Sequence, residues 1–82
     1  MTGEGLPRVG QRWIDTRFNW LVSDRKHVFT ITSVWNTVTG VKCGVTWHEV
    51  DETDRVVRDF GPGVIFVSHL RDWCQLLEDA RA

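Results

Sequence analysis

From Val9 to Val67 the apolar residues of this 82-residue chain recur with a period of two, and after Ser68 the period lengthens to that of a helix. A period of two sends successive side chains to opposite faces of a sheet. The first stretch therefore reads as antiparallel strands and the second as one helix. The predicted strands cover residues 9–16, 27–35, 41–50, 55–60 and 64–67, and the predicted helix covers 69–79. The expected fold class is mainly β, five antiparallel strands followed by a C-terminal α-helix. Residues 1–6 lack an apolar pattern and hold Gly3 and Gly5, so 1–8 is expected to be a flexible tail ahead of a single domain over 9–80.

Individual residues set the faces. Val41, Cys43, Val45 and Trp47 alternate with Lys42, Gly44, Thr46 and His48, and the first set is the one to bury. Thr30 and Thr32 mark the polar face of the preceding strand, which points Phe29 and Ile31 inward. Beyond Ser33 two phases are open. Strict alternation turns Trp35 inward, whereas a bulge near Ser33 buries Val34 and exposes Trp35. Asn36–Gly40 reads as a hairpin loop, Asp51–Asp54 as a solvated acidic turn and Gly61-Pro62-Gly63 as a tight break. Ser68 is a candidate N-cap, and Leu70, Trp73, Cys74 and Leu77 form one helical stripe. The expected core is Trp13, Phe29, Ile31, Val45, Trp47, Ile65, Leu70 and Leu77.

Five tryptophans are many for so short a chain. Each indole covers about 150–250 Å², so a small core holds only some of them. Trp13, Trp47 and Trp73 are assigned to the core; Trp20 and Trp35 fit either core or surface. The connection from Arg17 to Lys26 has no sustained period and is long for this size of domain, which favours a functional loop. It carries Phe18 and Trp20. Exposed tryptophan flanked by arginine has the composition of an interaction hot spot, and the candidate surface is Phe18, Trp20, Trp35, Arg17 and Arg25.

Other chemistries find little support. No apolar run is long enough to span a bilayer and no signal-peptide pattern opens the chain, so a cytoplasmic location is expected, with Cys43 and Cys74 as thiols. Cys43/His48 and His69/Cys74 are each five residues apart, which points them apart on a strand or a helix and disfavours a metal site. There is no nucleophile elbow, phosphate loop or dinucleotide fingerprint. The expectation is a protein without catalysis, cofactor or metal. Arg8, Arg12, Arg17, Arg25 and Lys26 could line a nucleic-acid-binding edge, yet the net charge is −1 and the pI about 6.3. A single-strand- or RNA-binding barrel stays the first alternative. An aromatic cage for a cation, built from Trp20, Trp35 and Phe18 beside Asp24 or Asp15, is the second.

Gly10-x-x-Trp13-x-Asp15 opening a strand, followed after a ragged loop by Phe29-Thr30-Ile31-Thr32-Ser33-Val34-Trp35, resembles short SH3-like domains of actinobacteria and their phages. The resemblance covers about residues 8–70. It implies a partly open five-stranded barrel and assigns no activity. The leading expectation is a small interaction module, a phage or regulatory accessory, whose partner is another protein or a second copy of itself, with no membrane and no small-molecule substrate.

Overall fold

A computed structural model describes residues 6–17 and 24–79. Strands β1 (Arg12–Asp15), β2 (Lys26–Thr37), β3 (Gly40–Val50) and β4 (Val56–Phe66) are followed by helix α1 (Val67–Trp73) and strand β5 (Cys74–Glu78). They form one antiparallel sheet in the order β4-β3-β2-β1-β5. The architecture is mainly β, with one short helix between the last two strands.

The alternation of β2 and β3 pairs Phe29 with Trp47 and Ile31 with Val45. Beyond that point the pairing steps from Ile31↔Val45 to Ser33↔Gly44, leaving Thr32 as the extra residue of a bulge. The bulge reverses the phase, so Val34 is half-buried and Trp35 is exposed. The β2–β3 hairpin closes on Val38 and Thr39 alone, because Thr37 already pairs with Gly40. At the other end of β3, Asp51 Oδ1 accepts hydrogen bonds from Thr53 N, Thr53 Oγ1 and Arg55 N. An aspartate that mimics the backbone in this way shapes the turn into β4.

Two expectations need correction. The predicted strands 55–60 and 64–67 are one strand, β4, running through Gly61-Pro62-Gly63. Proline is tolerated there because β4 is an edge strand whose only neighbour among the described residues is β3. Trp47 pairs with Gly61 and His48 with Asp59, so Phe60 is a second bulged residue. The predicted helix 69–79 is also wrong in extent. It begins at Val67 without a side-chain cap from Ser68 and ends at Trp73, after which Cys74–Glu78 is extended. The strand wins over the helical stripe because β1 would otherwise present a bare edge. β5 pairs along it from Asp15↔Cys74 to Arg12↔Glu78. Glu78 also meets Arg12 at 3.0 Å, and Asp79 accepts a 2.7 Å hydrogen bond from Gln11 Nε2. Leu77, expected in the core, is 43% exposed as a result.

The main core comprises Phe29, Ile31, Cys43, Val45, Val67, Leu70 and Cys74, with Trp13, Trp47, Ile65 and Trp73 packed around it. Buried Gln11 secures the start of the domain. Its Oε1 accepts from Arg8 N and from the Trp13 indole, and its backbone bonds to Ile31. Ile14, Val28 and Val50 are buried on the opposite face of the sheet. There the β3–β4 turn reaches back to β1, where Arg12 holds Asp54 through two hydrogen bonds of 2.7 and 2.9 Å. That contact spans the width of β2. The region expected to be a tail overlaps the described residues only from Leu6, and Pro7 is buried.

Candidate binding groove

Two glycines open a groove on the inner face. Gly61 and Gly63 oppose Trp47 and Val45 across the β3–β4 ladder, where any other residue would project a side chain over them. A Cβ built on Gly63 would meet only Val45 Cγ2, at 3.8 Å, and one on Gly61 would meet nothing within 4 Å. The resulting groove has a volume of about 470 Å³ and runs between β4 and α1, with Phe29, Val45 and Ile65 at its base.

Its β4 wall is an aromatic cluster. Trp47 stacks on Phe29 at 5.7 Å between ring centroids and leans on Phe60 at 4.5 Å, a contact the Phe60 bulge creates. His27 meets both Trp47 and Phe60 edge-on, and Arg58 lies 5.8 Å over Phe60. Trp47 Nε1 is buried and has no acceptor among the described residues. An unmatched donor of this kind costs about 1–3 kcal/mol.

The opposite wall is a ladder of rings and a cation. His69 stacks on Trp73 at 4.3 Å and meets Phe66 edge-on at 5.6 Å. Arg17 lies 4.1 Å over Trp73, whereas Lys42, whose Nζ lies 4.9 Å over Phe66, is not a lining residue and shares the strand face of Gly44 and Trp35. Arg17 is held in place by its neighbours. Thr16 N and Oγ1 both donate to Trp73 O, which pins the end of β1 to the end of α1. Buried Asp15 then accepts hydrogen bonds from Arg17 N, Nε and Nη2.

The sequence-derived surface maps onto this geometry only in part. Arg17 lines the groove. Arg25 and Trp35 flank opposite ends of β2, roughly 30 Å apart along the strand at ~3.3 Å per residue, and the structure does not bring them together. Arg25 meets Glu49 at 3.7 Å, and Trp35 lies beside Gly44 on the other face from Trp47. Phe18 and Trp20 lie outside the described residues. The residues that sequence reasoning missed are Trp47, Phe60, Phe66, His69 and Trp73. The one signal for them was the Gly-x-Gly spacing at 61 and 63, which leaves a single face of a strand without side chains.

Cys43 and His48 lie on opposite faces of β3. Cys43 is buried and donates weakly to Ile65 O, whereas His48 faces Asp59 at 3.8 Å. Burial pushes the Cys43 thiol up, and burial with Asp15 nearby pushes Cys74 up to about 12. Both thiols are therefore protonated at neutral pH and poor nucleophiles. No group of three or more metal-ligating side chains occurs among the described residues. The second concavity, lined by Arg12, Lys26, Asp51, Glu52, Asp54 and Glu78, is occupied by the Arg12 clamp that holds the turn and β5 together.

No protein family, curated protein or solved structure matches this chain. No helix among the described residues is long and apolar enough to cross a membrane.

Proposed function

We propose that this chain is a small, non-catalytic interaction module that binds an extended segment of another protein in the groove between β4 and α1. The observation that carries this reading is the glycine-opened aromatic groove beside an edge strand. Along residues 60–66 it is roughly 20 Å long, at ~3.3 Å per residue, the span of about six or seven residues of extended peptide. Among the described residues β4 has a neighbour on one side only, so part of its backbone is available for pairing with an added strand, interrupted at Pro62. The single five-stranded antiparallel sheet, with the β3–β4 turn held to β1 by Arg12, supports the SH3-like, partly open barrel as the fold of this module. The two free, buried cysteines suit a reducing compartment such as the cytoplasm.

The two alternatives fit the groove less well. Base stacking and cation cages both need free ring faces. Here Phe29 and Phe60 engage Trp47, while Arg17 and His69 engage Trp73.

The test is selection from a displayed library of random 12-residue peptides, on the native sequence and on Gly63→Val. A Cβ at position 63 has room, 3.8 Å from Val45 Cγ2, and the valine would project over the groove. Peptides enriched on the native protein should lose at least ten-fold in affinity on the variant. Enriched peptides that bind both equally, or a selection with no enrichment, would overturn the reading.

A further inference from the structure

We propose that the occupant of this groove is an extended segment with two large apolar side chains at alternate positions, one set over Gly61 and the other over Gly63. The inference rests on the groove reading above and adds the residue pattern that the groove selects.

On the inner face of β4 the side chains stop and then resume. Phe60 leans on Trp47, and Ile65 packs against the core. Between them the inward positions are Gly61 and Gly63, opposite Trp47 and Val45. Pro62 and Val64 lie opposite Thr46 and Gly44, on the other face. The gap is therefore two inward positions long, closed by Phe60 at one end and Ile65 at the other. Those positions are roughly 6.6 Å apart, at ~3.3 Å per residue. An extended occupant repeats its own side chains on one face at the same interval. A strand laid along β4 would have residues of its own opposite both glycines. A large cross-strand side chain gains most beside an edge glycine, because it can fold over the bare backbone.

The two gaps differ in depth. A Cβ on Gly63 would stand 3.8 Å from Val45 Cγ2, so a side chain placed there rests on Val45. Around the Cβ position of Gly61 nothing lies within 4 Å, which leaves room for a ring near Trp47 and Phe60. The base beneath both is Phe29, Val45 and Ile65, all apolar. Charge at the rim does not choose the occupant, because Arg17 is neutralised by Asp15 through Nε and Nη2. Shape and apolar contact are what remains for the groove to read. Burying one large apolar side chain is worth about ten-fold in affinity or more.

Two displayed libraries of 12-residue peptides with equal composition test this. In one, two residues drawn from Leu, Ile, Phe and Trp stand two positions apart. In the other they stand four apart, the spacing of a helix face. All remaining positions are Ser, Thr, Gln or Gly. Each library is selected on the native protein and on Gly63→Val. The first should yield binders that lose at least ten-fold on Gly63→Val, and alanine at either apolar position should cost at least ten-fold on the native protein. One of those two alanine peptides should bind Gly63→Val at least three-fold tighter than its parent does, because the valine occupies the place of the side chain it lacks. Gly63-dependent binders of equal or greater enrichment from the second library would overturn the alternate pattern and leave the groove standing. So would a pair of alanine peptides neither of which gains on Gly63→Val. Binders from either library that ignore Gly63→Val would contradict the groove itself. An empty outcome with both libraries overturns the pattern if the random library yields Gly63-dependent binders, and the groove if it does not.

Discussion

Gly44→Ala should destabilise this protein although the substitution adds a single methyl group within a strand. Ser33 pairs with Gly44 just beyond the Thr32 bulge, and that register brings three side chains over the glycine. A Cβ at position 44 would stand 2.6 Å from Ser33 Oγ, 3.1 Å from Thr32 Oγ1 and 3.7 Å from Trp35 Cζ3. The first distance cannot be accommodated without movement, and Thr32 is stiff at χ1. Overpacking of this kind costs about 1–3 kcal/mol. Replacing glycine by alanine recovers about 0.4–1 kcal/mol through the unfolded chain. A net loss near 1 kcal/mol corresponds to a fall in Tm of about 4–8 °C for a domain of this size. Thermal melts followed by near-ultraviolet circular dichroism, with urea titrations to check that the slope is unchanged, measure it. Ser33→Ala removes the nearest atom, so the double variant should recover at least half of the loss, a coupling that a double-mutant cycle isolates. A neutral Gly44→Ala, or a double variant with no coupling, would refute the bulge register and with it the exposed placement of Trp35.

Other perturbations follow from the same geometry. Gly63→Val should leave Tm unchanged or higher, because its Cβ meets only Val45 and an interior strand glycine costs about 0.5–1 kcal/mol; a fall of several degrees in a thermal melt contradicts this. Arg12→Ala should lower stability at pH 7 by about 0.5–1 kcal/mol, since its partners Asp54 and Glu78 are more than half exposed. The Arg12 hydrogen bond holds the Asp54 carboxyl below its ordinary range, so this stability is present at neutral pH and lost as pH falls through the folded-state value. Urea midpoints of native and variant protein should accordingly converge near pH 2. The thiol of Cys74 is raised from 9.0 to about 12, so the unfolded chain ionises first and stability should decline as pH rises from 9 towards 12. Unfolding measured against pH should show a shallower decline in Cys74→Ala, and iodoacetamide at pH 8 should label both cysteines only on unfolding.

The strand-forming half of the chain is legible in the sequence because one face of β2 and β3 is buried and the other is not. Phe29, Ile31, Val45 and Trp47 declare that face by alternation. Even the bulge is visible as one of two phases for Ser33–Trp35. The last quarter is not legible, because Leu70, Trp73, Cys74 and Leu77 satisfy a helical spacing that the free edge of β1 then overrides. Gly61-Pro62-Gly63 reads as a turn, since nothing local reveals that β4 is an edge strand on which proline is harmless. The groove escaped for a related reason. Composition cannot separate a fully buried ring from a half-buried one, and Trp47 and Trp73 are half-buried, with one side in the core and the other on the groove. Arg17 was legible as a candidate, but the residue it serves, Trp73, is 56 positions away.

The central claim is that the groove at Trp47 and Trp73, and not the exposed Trp35, carries binding. The direct measurement is a ¹H–¹⁵N spectrum of the indole N–H groups during titration with a Gly63-dependent 12-residue peptide from the displayed library, with Trp35→Phe used to assign that resonance. The account predicts progressive shifts of the Trp47 and Trp73 signals while Trp35 stays in place. A Trp35 signal that moves while those of Trp47 and Trp73 do not would contradict it.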